Sequence, residues 1–280
     1  MNTHKVINLL VSYRLKYLSS FFVNMLSIVF KSNIKNTIIE NKCWLQESNN
    51  TKFVDFVPNY RTNSYRYAEK LCNDLIFSNY KPESNDICID IGAGIGTETI
   101  FMSRLADKGR VYSIEAFKDV YDVLNLNIKY GNLHNVHSYN LAIADSNGYV
   151  YITDSDSHIE NKLVNDDSLQ NTRKIESVTI DKFIEDQKIQ QIDLLKVNIE
   201  GAERELIKCF KNIGIVKNVA ISCHDFLGKR LGDPSLYTKD EVITFLEANN
   251  FKIKTLNTPN DYANDWVFGT RDSKIMSKDK

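Results

Sequence analysis

The chain has 280 residues, a mass of 32.2 kDa, 35 Lys+Arg against 36 Asp+Glu, and a hydrophobic fraction of 42%. That composition excludes disorder over most of the length, and the near-balanced charge argues against a protein that lives on nucleic-acid phosphates. Five widely spaced cysteines with no CxxC pair give no zinc-ligand pattern and read as reduced thiols of a cytoplasmic protein.

Residues 1–39 carry Lys5, Arg14, Lys16, Lys31 and Lys35 and no acid. The uncharged run Tyr17–Phe30 is too short for a spanning helix and lacks a signal-peptide exit. Three readings stay open. The segment can pack on the main domain or on a second copy in a homodimer. It can lie on an anionic membrane surface, such as the inner face. It can be an anchor. Residues 1–60 are expected to be a helical extension and connecting arm, the Asn-rich stretch from Ile39 being the arm. Residues 61–280 form the main domain.

Tyr65–Phe77 has apolar residues at helical spacing. Beyond Pro82 strands and helices alternate. Asp86–Ile91, Arg110–Glu115 and Val136–Ala142 read as strands, separated by helices over Thr97–Asp107 and Lys118–Tyr130. Tyr149–Thr153 and Glu176–Ile180 read as shorter strands. The polar loop between them, Asp154–Asp167, is long enough for a substrate-side lid. Thr179 can cap a helix over Ile180–Gln187. Strand Ile192–Ile199, helix Glu203–Phe210, strand Asn218–Cys223 and helix Thr238–Asn249 follow. Phe251–Leu256 and Trp266–Thr270 pair as an antiparallel hairpin with only a loop between them. The expected fold is α/β: a doubly wound, seven-stranded, mostly parallel Rossmann-like sheet ending in that hairpin. Such sheets bind ligands beyond the carboxyl ends of their strands.

The first of those ends is Asp90-Ile91-Gly92-Ala93-Gly94-Ile95-Gly96. Alternate glycines let the backbone turn sharply and approach a ligand. The dinucleotide fingerprint needs a further glycine where Thr97 stands. Asp90 would also repel a pyrophosphate, so a nicotinamide-dependent dehydrogenase is a disfavoured alternative. Glu115, ending the second strand, is spaced to hold ribose hydroxyls.

This constellation resembles the class I methyltransferases that use S-adenosyl-L-methionine, whose first motif is similar to Cys88–Gly96 (CIDIGAGIG). A narrower resemblance is to the FkbM-type methyltransferases, carried by Asp193–Glu203 (DLLKVNIEGAE), by Asn140–Asp145 with Gly148, and by Thr179–Phe183. It implies S-adenosyl-L-methionine as cofactor. The implied cofactor-side set is Asp90, Gly92, Ala93, Gly94, Gly96, Glu115, Ala116, Ala142 and Asn198, with Asp90 orienting the loop, Gly92 and Gly94 facing the ligand and Glu115 holding the ribose. It further implies methylation of a hydroxyl on a sugar, glycan or polyketide-like acceptor. The chain has Asn198 where the family usually has Asp, which weakens that position as a base or metal ligand.

Methyl transfer to a hydroxyl benefits from a positioned base. His224 and Asp225 follow a strand at the ligand edge, and Glu200 leaves its neighbour at the same edge; these three are the catalytic candidates. Glu203 reads as a first-turn acid complementing the helix dipole. Lys196 can pair with Glu200 or reach the pocket. No metal is expected. A non-catalytic, methyltransferase-like scaffold at a membrane is the alternative that Asn198 leaves open.

Overall fold

The computed structural model describes residues 16–40, 43–153, 163–164 and 172–271. Its centre is a seven-stranded sheet. The strands are β4 (Ile87–Ile91), β5 (Arg110–Ile114), β6 (Val136–Tyr139), β11 (Ile192–Val197), β12 (Val216–Ser222), β13 (Lys252–Thr255) and β14 (Trp266–Thr270), in the order β13-β14-β12-β11-β4-β5-β6. Only β14 runs against the others. The apolar runs of β4 and β11 sit in the middle because helices cover both faces. One face packs on α5 (Ile180–Asp186), α6 (Glu203–Cys209) and α8 (Lys239–Ala248) through Phe183, Leu206 and Leu246. The other packs on α2 (Ser64–Leu71) and α3 (Thr97–Leu105) through Ala68, Ile100 and Met102. Thr179 caps α5 by accepting from the Lys182 amide, the reading its position suggested. A single helical turn, α9 (Asp261–Asn264), interrupts the connection in the terminal hairpin where a plain loop was expected.

A second sheet has the order β7-β10-β8-β9, built from β7 (Ala142–Ile143), β8 (Gly148–Thr153), β9 (Leu163–Val164) and β10 (Thr172–Val178). Sequence periodicity had joined Ala142 to β6. The chain instead leaves β6 at Tyr139, and Ala142 pairs with Ser177 of β10. The lid expected over Asp154–Asp167 lies mostly outside the described residues.

The N-terminal region corrects an expectation. After α1 (Lys16–Val29), the Asn-rich stretch is not an arm. It forms an antiparallel sheet of β1 (Lys35–Ile38), β2 (Trp44–Ser48) and β3 (Thr51–Asp55). Asn49 and Asn50 make the two-residue turn, with φ of 49° and 65°. Asparagine tolerates that left-handed region, and a tight hairpin needs it at both positions. The sheet packs on α4 (Lys118–Gly131) through Leu45, Val54, Val123 and Leu126.

Asn127 of α4 is the polar bolt of this contact. Its Oδ1 accepts from the Val54 amide at 2.8 Å, and its Nδ2 donates to the carbonyls of Val54 and Ile95 at 2.9 and 2.8 Å. Ile95 belongs to the glycine loop, so the N-terminal sheet and that loop share one side chain. Asn127→Leu strands three backbone groups, each costing about 1–3 kcal/mol when buried. We expect a lower midpoint in urea unfolding and faster amide exchange at Val54.

Candidate active site

The site lies where β4, β5, β11 and β12 end. Lys196 of β11 stands opposite Asp90 of β4 in the sheet register and is fully buried. Its ammonium lies 2.8 Å from Asp90 Oδ1 and 3.8 Å from Glu98 Oε2, and donates to the Gly92 carbonyl at 2.8 Å. Burial alone would push this ammonium toward neutrality; the charges of Asp90 and Glu98 outweigh it and hold it cationic. Asp90 Oδ2 accepts from Thr99, whose hydroxyl also meets Ser113. Asp90 is linked to the loop through Lys196, which bonds the Gly92 carbonyl. Lys196 pairs with Asp90 and Glu98, not with Glu200, the partner the sequence had suggested as one of two possibilities.

The loop glycines differ in role. All three have positive φ: 70° at Gly92, 56° at Gly94 and 92° at Gly96. A Cβ on Gly92 would stand 1.9 Å from the Asn198 carbonyl oxygen, and one on Gly96 would stand 2.7 Å from Leu124 Cδ1. Gly92 thus admits the backbone that leaves β11, and Gly96 admits α4. A Cβ on Gly94 meets nothing within 4 Å. Of the three, Gly94 is the one whose Cβ direction is open.

Glu115 braces the same loop. Its Oε2 accepts from the Gly94 amide at 2.9 Å and its Oε1 from the Phe117 amide at 2.9 Å. Burial raises its pKa, and those two amides oppose the rise. Asn140 donates to the carbonyls of Glu115 and Ala116, tying the end of β5 to that of β6. Ala93 is buried and its amide bonds back to Ile114. Ala116 and Ala142 pack together in a small apolar cluster under the second sheet.

The second half of the site follows β11 and β12. Glu200 and His224 both take left-handed backbone, with φ of 55° and 54°. For residues other than glycine or asparagine this costs about 1–3 kcal/mol and concentrates at functional sites. His224 is 2% exposed. Its Nδ1 lies 3.1 Å from Glu203 Oε1, and its Nε2 lies 3.7 Å from Glu200 Oε2. Glu203 is fully buried. It accepts from the Gly201 amide at 3.2 Å and from the Thr238 hydroxyl at 3.1 Å. Burial acts to lower the His224 pKa, but the Glu203 hydrogen bond and the charges of Glu203, Glu200 and Asp265 raise it overall. Glu200 is also raised, first by burial and then by Glu203 and Glu115, against the lowering charges of His224 and Lys196.

Sequence reasoning placed Glu200 and His224 here, and the structure brings them together. It gives Asp225, the first residue of α7 (Asp225–Leu231), other work: Oδ1 accepts from the Thr238 and Lys239 amides at 3.0 and 3.2 Å, securing the start of α8. It also adds Glu203, read from sequence only as a dipole partner, as the group that holds His224. Glu98 was missed because its partner lies 98 positions further on. Among the described residues, Asn198 Oδ1 and Glu200 Oε2 are buried oxygens without a hydrogen-bond partner. Both belong to the segment that leaves β11 over Gly92. No group of three or more His, Cys, Asp or Glu among the described residues is placed to hold a metal ion.

A cleft of about 370 Å³ adjoins Glu200, between the second sheet and α6. Asp145, Glu200, Arg204, Glu205, Lys208 and Ser235 give it a polar wall. Arg204 is committed elsewhere, to Glu241 and the carbonyls of Ser235 and Tyr237.

A parallel sheet whose order reverses between β4 and β11, with one antiparallel strand inserted near its edge and a glycine loop at the switch, defines the class I methyltransferase fold. Residues 90–253 match the model of the methyltransferase FkbM domain, and the chain belongs to that family. The stretch holds Asp90, the glycine loop, Lys196, Glu200, Glu203 and His224.

Solved structures similar to this chain include the FkbM methyltransferase from Methylobacillus flagellatus KT, at 17% identity and a TM-score of 0.46, over 67% of this chain and 44% of that one. The chain thus spans less than half the length of that protein. The O-methyltransferase from Bacillus cereus in complex with SAH is 15% identical, with a TM-score of 0.44, over 74% and 80% of the two chains. The precorrin-6y C5,15-methyltransferase from Geobacter metallireducens GS-15 is 13% identical, with a TM-score of 0.43, over 74% and 88%. No curated protein matches the chain.

Proposed function

We propose that the protein is an S-adenosyl-L-methionine-dependent O-methyltransferase acting on a hydroxyl of a sugar, glycan or polyketide-like acceptor. The observation that carries this is Glu200. It is a carboxylate raised above its ordinary 4.5, its Oε2 turned inward toward His224, on the wall of the polar cleft between the second sheet and α6. The chain's residues fit the cofactor: the space in the Gly94 Cβ direction is open, Glu115 holds the Gly94 amide, and Asn198, beside Gly92, has a buried side-chain oxygen without a hydrogen-bond partner. When bound, the cofactor supplies an activated methyl group. The protein supplies alignment and a base.

Glu200 takes the hydroxyl proton of the acceptor. Its raised pKa suits that task, since a base closer to neutrality gains driving force for proton transfer. His224 stands behind it, with Nδ1 on Glu203 and Nε2 facing Glu200. His224 and Glu203 are positioning residues. They fix the carboxylate and balance its charge.

The pH dependence follows with its sign. Glu200 must be ionised, so turnover falls as pH drops through its pKa, which lies above 4.5. The imidazolium of His224 is lost as pH rises through a pKa above 6.5. A bell-shaped profile results, whose two limbs belong to the coupled pair. His224→Asn removes the alkaline limb and moves the acid limb upward, because the cation that lowers the Glu200 pKa is gone. Glu200→Gln lowers kcat by about 10²–10⁴-fold and leaves cofactor affinity unchanged. Release of S-adenosylhomocysteine, followed by mass spectrometry over a panel of glycosides and polyols, reads both effects. Full turnover by Glu200→Gln removes Glu200 as the base.

A further inference from the structure

Helix α1 has two unlike faces. On one, Ser19, Val23 and Ser27 are buried, and Phe22 and Leu26 pack beside them against Trp44, Tyr60 and Ile38. Asn24, which interrupts the apolar run in the sequence, is used inward. Its Nδ2 donates to the Asn36 carbonyl at 3.0 Å and its Oδ1 accepts from the Asn36 amide at 2.7 Å. The helix is thereby clamped to β1, and its orientation is fixed.

The other face is apolar and exposed among the described residues. Leu18, Phe21, Met25, Ile28 and Val29 recur at helical spacing, with Phe30 at the end; Phe21 is 67% and Ile28 78% exposed. Six of the eleven exposed large hydrophobic residues among those described fall in this one stripe. Scattered exposed hydrophobics are ordinary, but a contiguous patch marks a contact surface.

The charge around the stripe identifies what covers it. Residues 1–39 hold five basic residues and no acid. Lys31 follows the stripe and is exposed, and the Arg61 guanidinium lies over the Phe30 ring at 4.6 Å. A second copy laid on this face would bring two basic segments together. An anionic lipid surface supplies both an apolar layer for the stripe and phosphates for its rim. No helix among the described residues is long and apolar enough to cross a membrane. We propose that the exposed face of α1, with Lys31 and Arg61, seats the protein flat on an anionic membrane surface.

The test is co-sedimentation of the full chain with phosphatidylcholine vesicles, with and without phosphatidylserine. Binding is expected to be on the order of tenfold stronger with phosphatidylserine and to weaken as salt rises. The double variant Phe21→Ser, Ile28→Ser alters only exposed side chains and is expected to lose binding while keeping its circular dichroism. Lys31→Glu with Arg61→Glu is expected to lose the preference for phosphatidylserine alone. Binding to neither vesicle overturns the proposal. So does undiminished binding by the double variant, or a concentration-dependent dimer in sedimentation velocity that the same variant abolishes.

Discussion

Gly94→Val is expected to abolish S-adenosylhomocysteine binding, weakening it by on the order of 100-fold or more, while the protein stays folded. The three loop glycines separate the two outcomes. A Cβ at Gly94 meets no neighbour within 4 Å, so the first atom of a side chain displaces nothing in the protein. The cost to folding is the left-handed backbone at φ 56°, about 1–2 kcal/mol for a residue with a Cβ. The branched side chain then fills the space over the loop, and a 100-fold loss corresponds to about 2.7 kcal/mol of binding. Gly92→Val is the contrast: its Cβ would meet the Asn198 carbonyl at 1.9 Å, so folding itself should fail. Calorimetric titration of Gly94→Val beside wild type decides the matter. Equal affinities would move the ligand away from this loop.

Lys196→Met is expected to cost about 3–5 kcal/mol of stability, the penalty for removing one partner of a buried ion pair. The substitution keeps an unbranched stem one atom shorter and leaves the carboxylates of Asp90 and Glu98 without their shared cation. Glu98 is already raised by burial, and Lys196 is what opposes that rise. In the variant the folded state binds protons more tightly than the unfolded state does. Its deficit therefore shrinks as pH falls and grows as pH rises. In wild type the folded Lys196 pKa is raised, so its contribution persists through neutral pH and is lost only above the ordinary lysine range. Urea unfolding of both proteins at acid and neutral pH measures this. A deficit that does not change with pH would mean that the carboxylates are not what the lysine compensates.

The alternation of strands and helices from Ile87 to Thr270 was legible because each buried strand is a short apolar run and each helix carries one apolar face. The glycine loop was legible as a backbone signal, but the division of labour within it was not. Gly92 and Gly96 answer to Asn198 and Leu124, which are remote in sequence. The same holds for the ionic core. Asp90 and Lys196 are 106 positions apart and meet only because β4 and β11 are neighbours in register. His224 and Glu200 were found from their places at strand ends. Glu203 was read for its helix position alone, since nothing local shows that α6 turns its first residue toward β12. The N-terminal sheet was missed although its turn was on view. Asn49–Asn50 between Trp44–Ser48 and Thr51–Asp55 is a hairpin signal, masked by the polar composition around it.

The most direct test of a cofactor pocket at Gly94 and Glu115 is isothermal titration of the purified chain with S-adenosylhomocysteine, which needs no acceptor. The structure predicts saturable one-to-one binding that Gly94→Val removes and Glu200→Gln leaves intact. A folded sample that shows no binding would contradict the account at its centre.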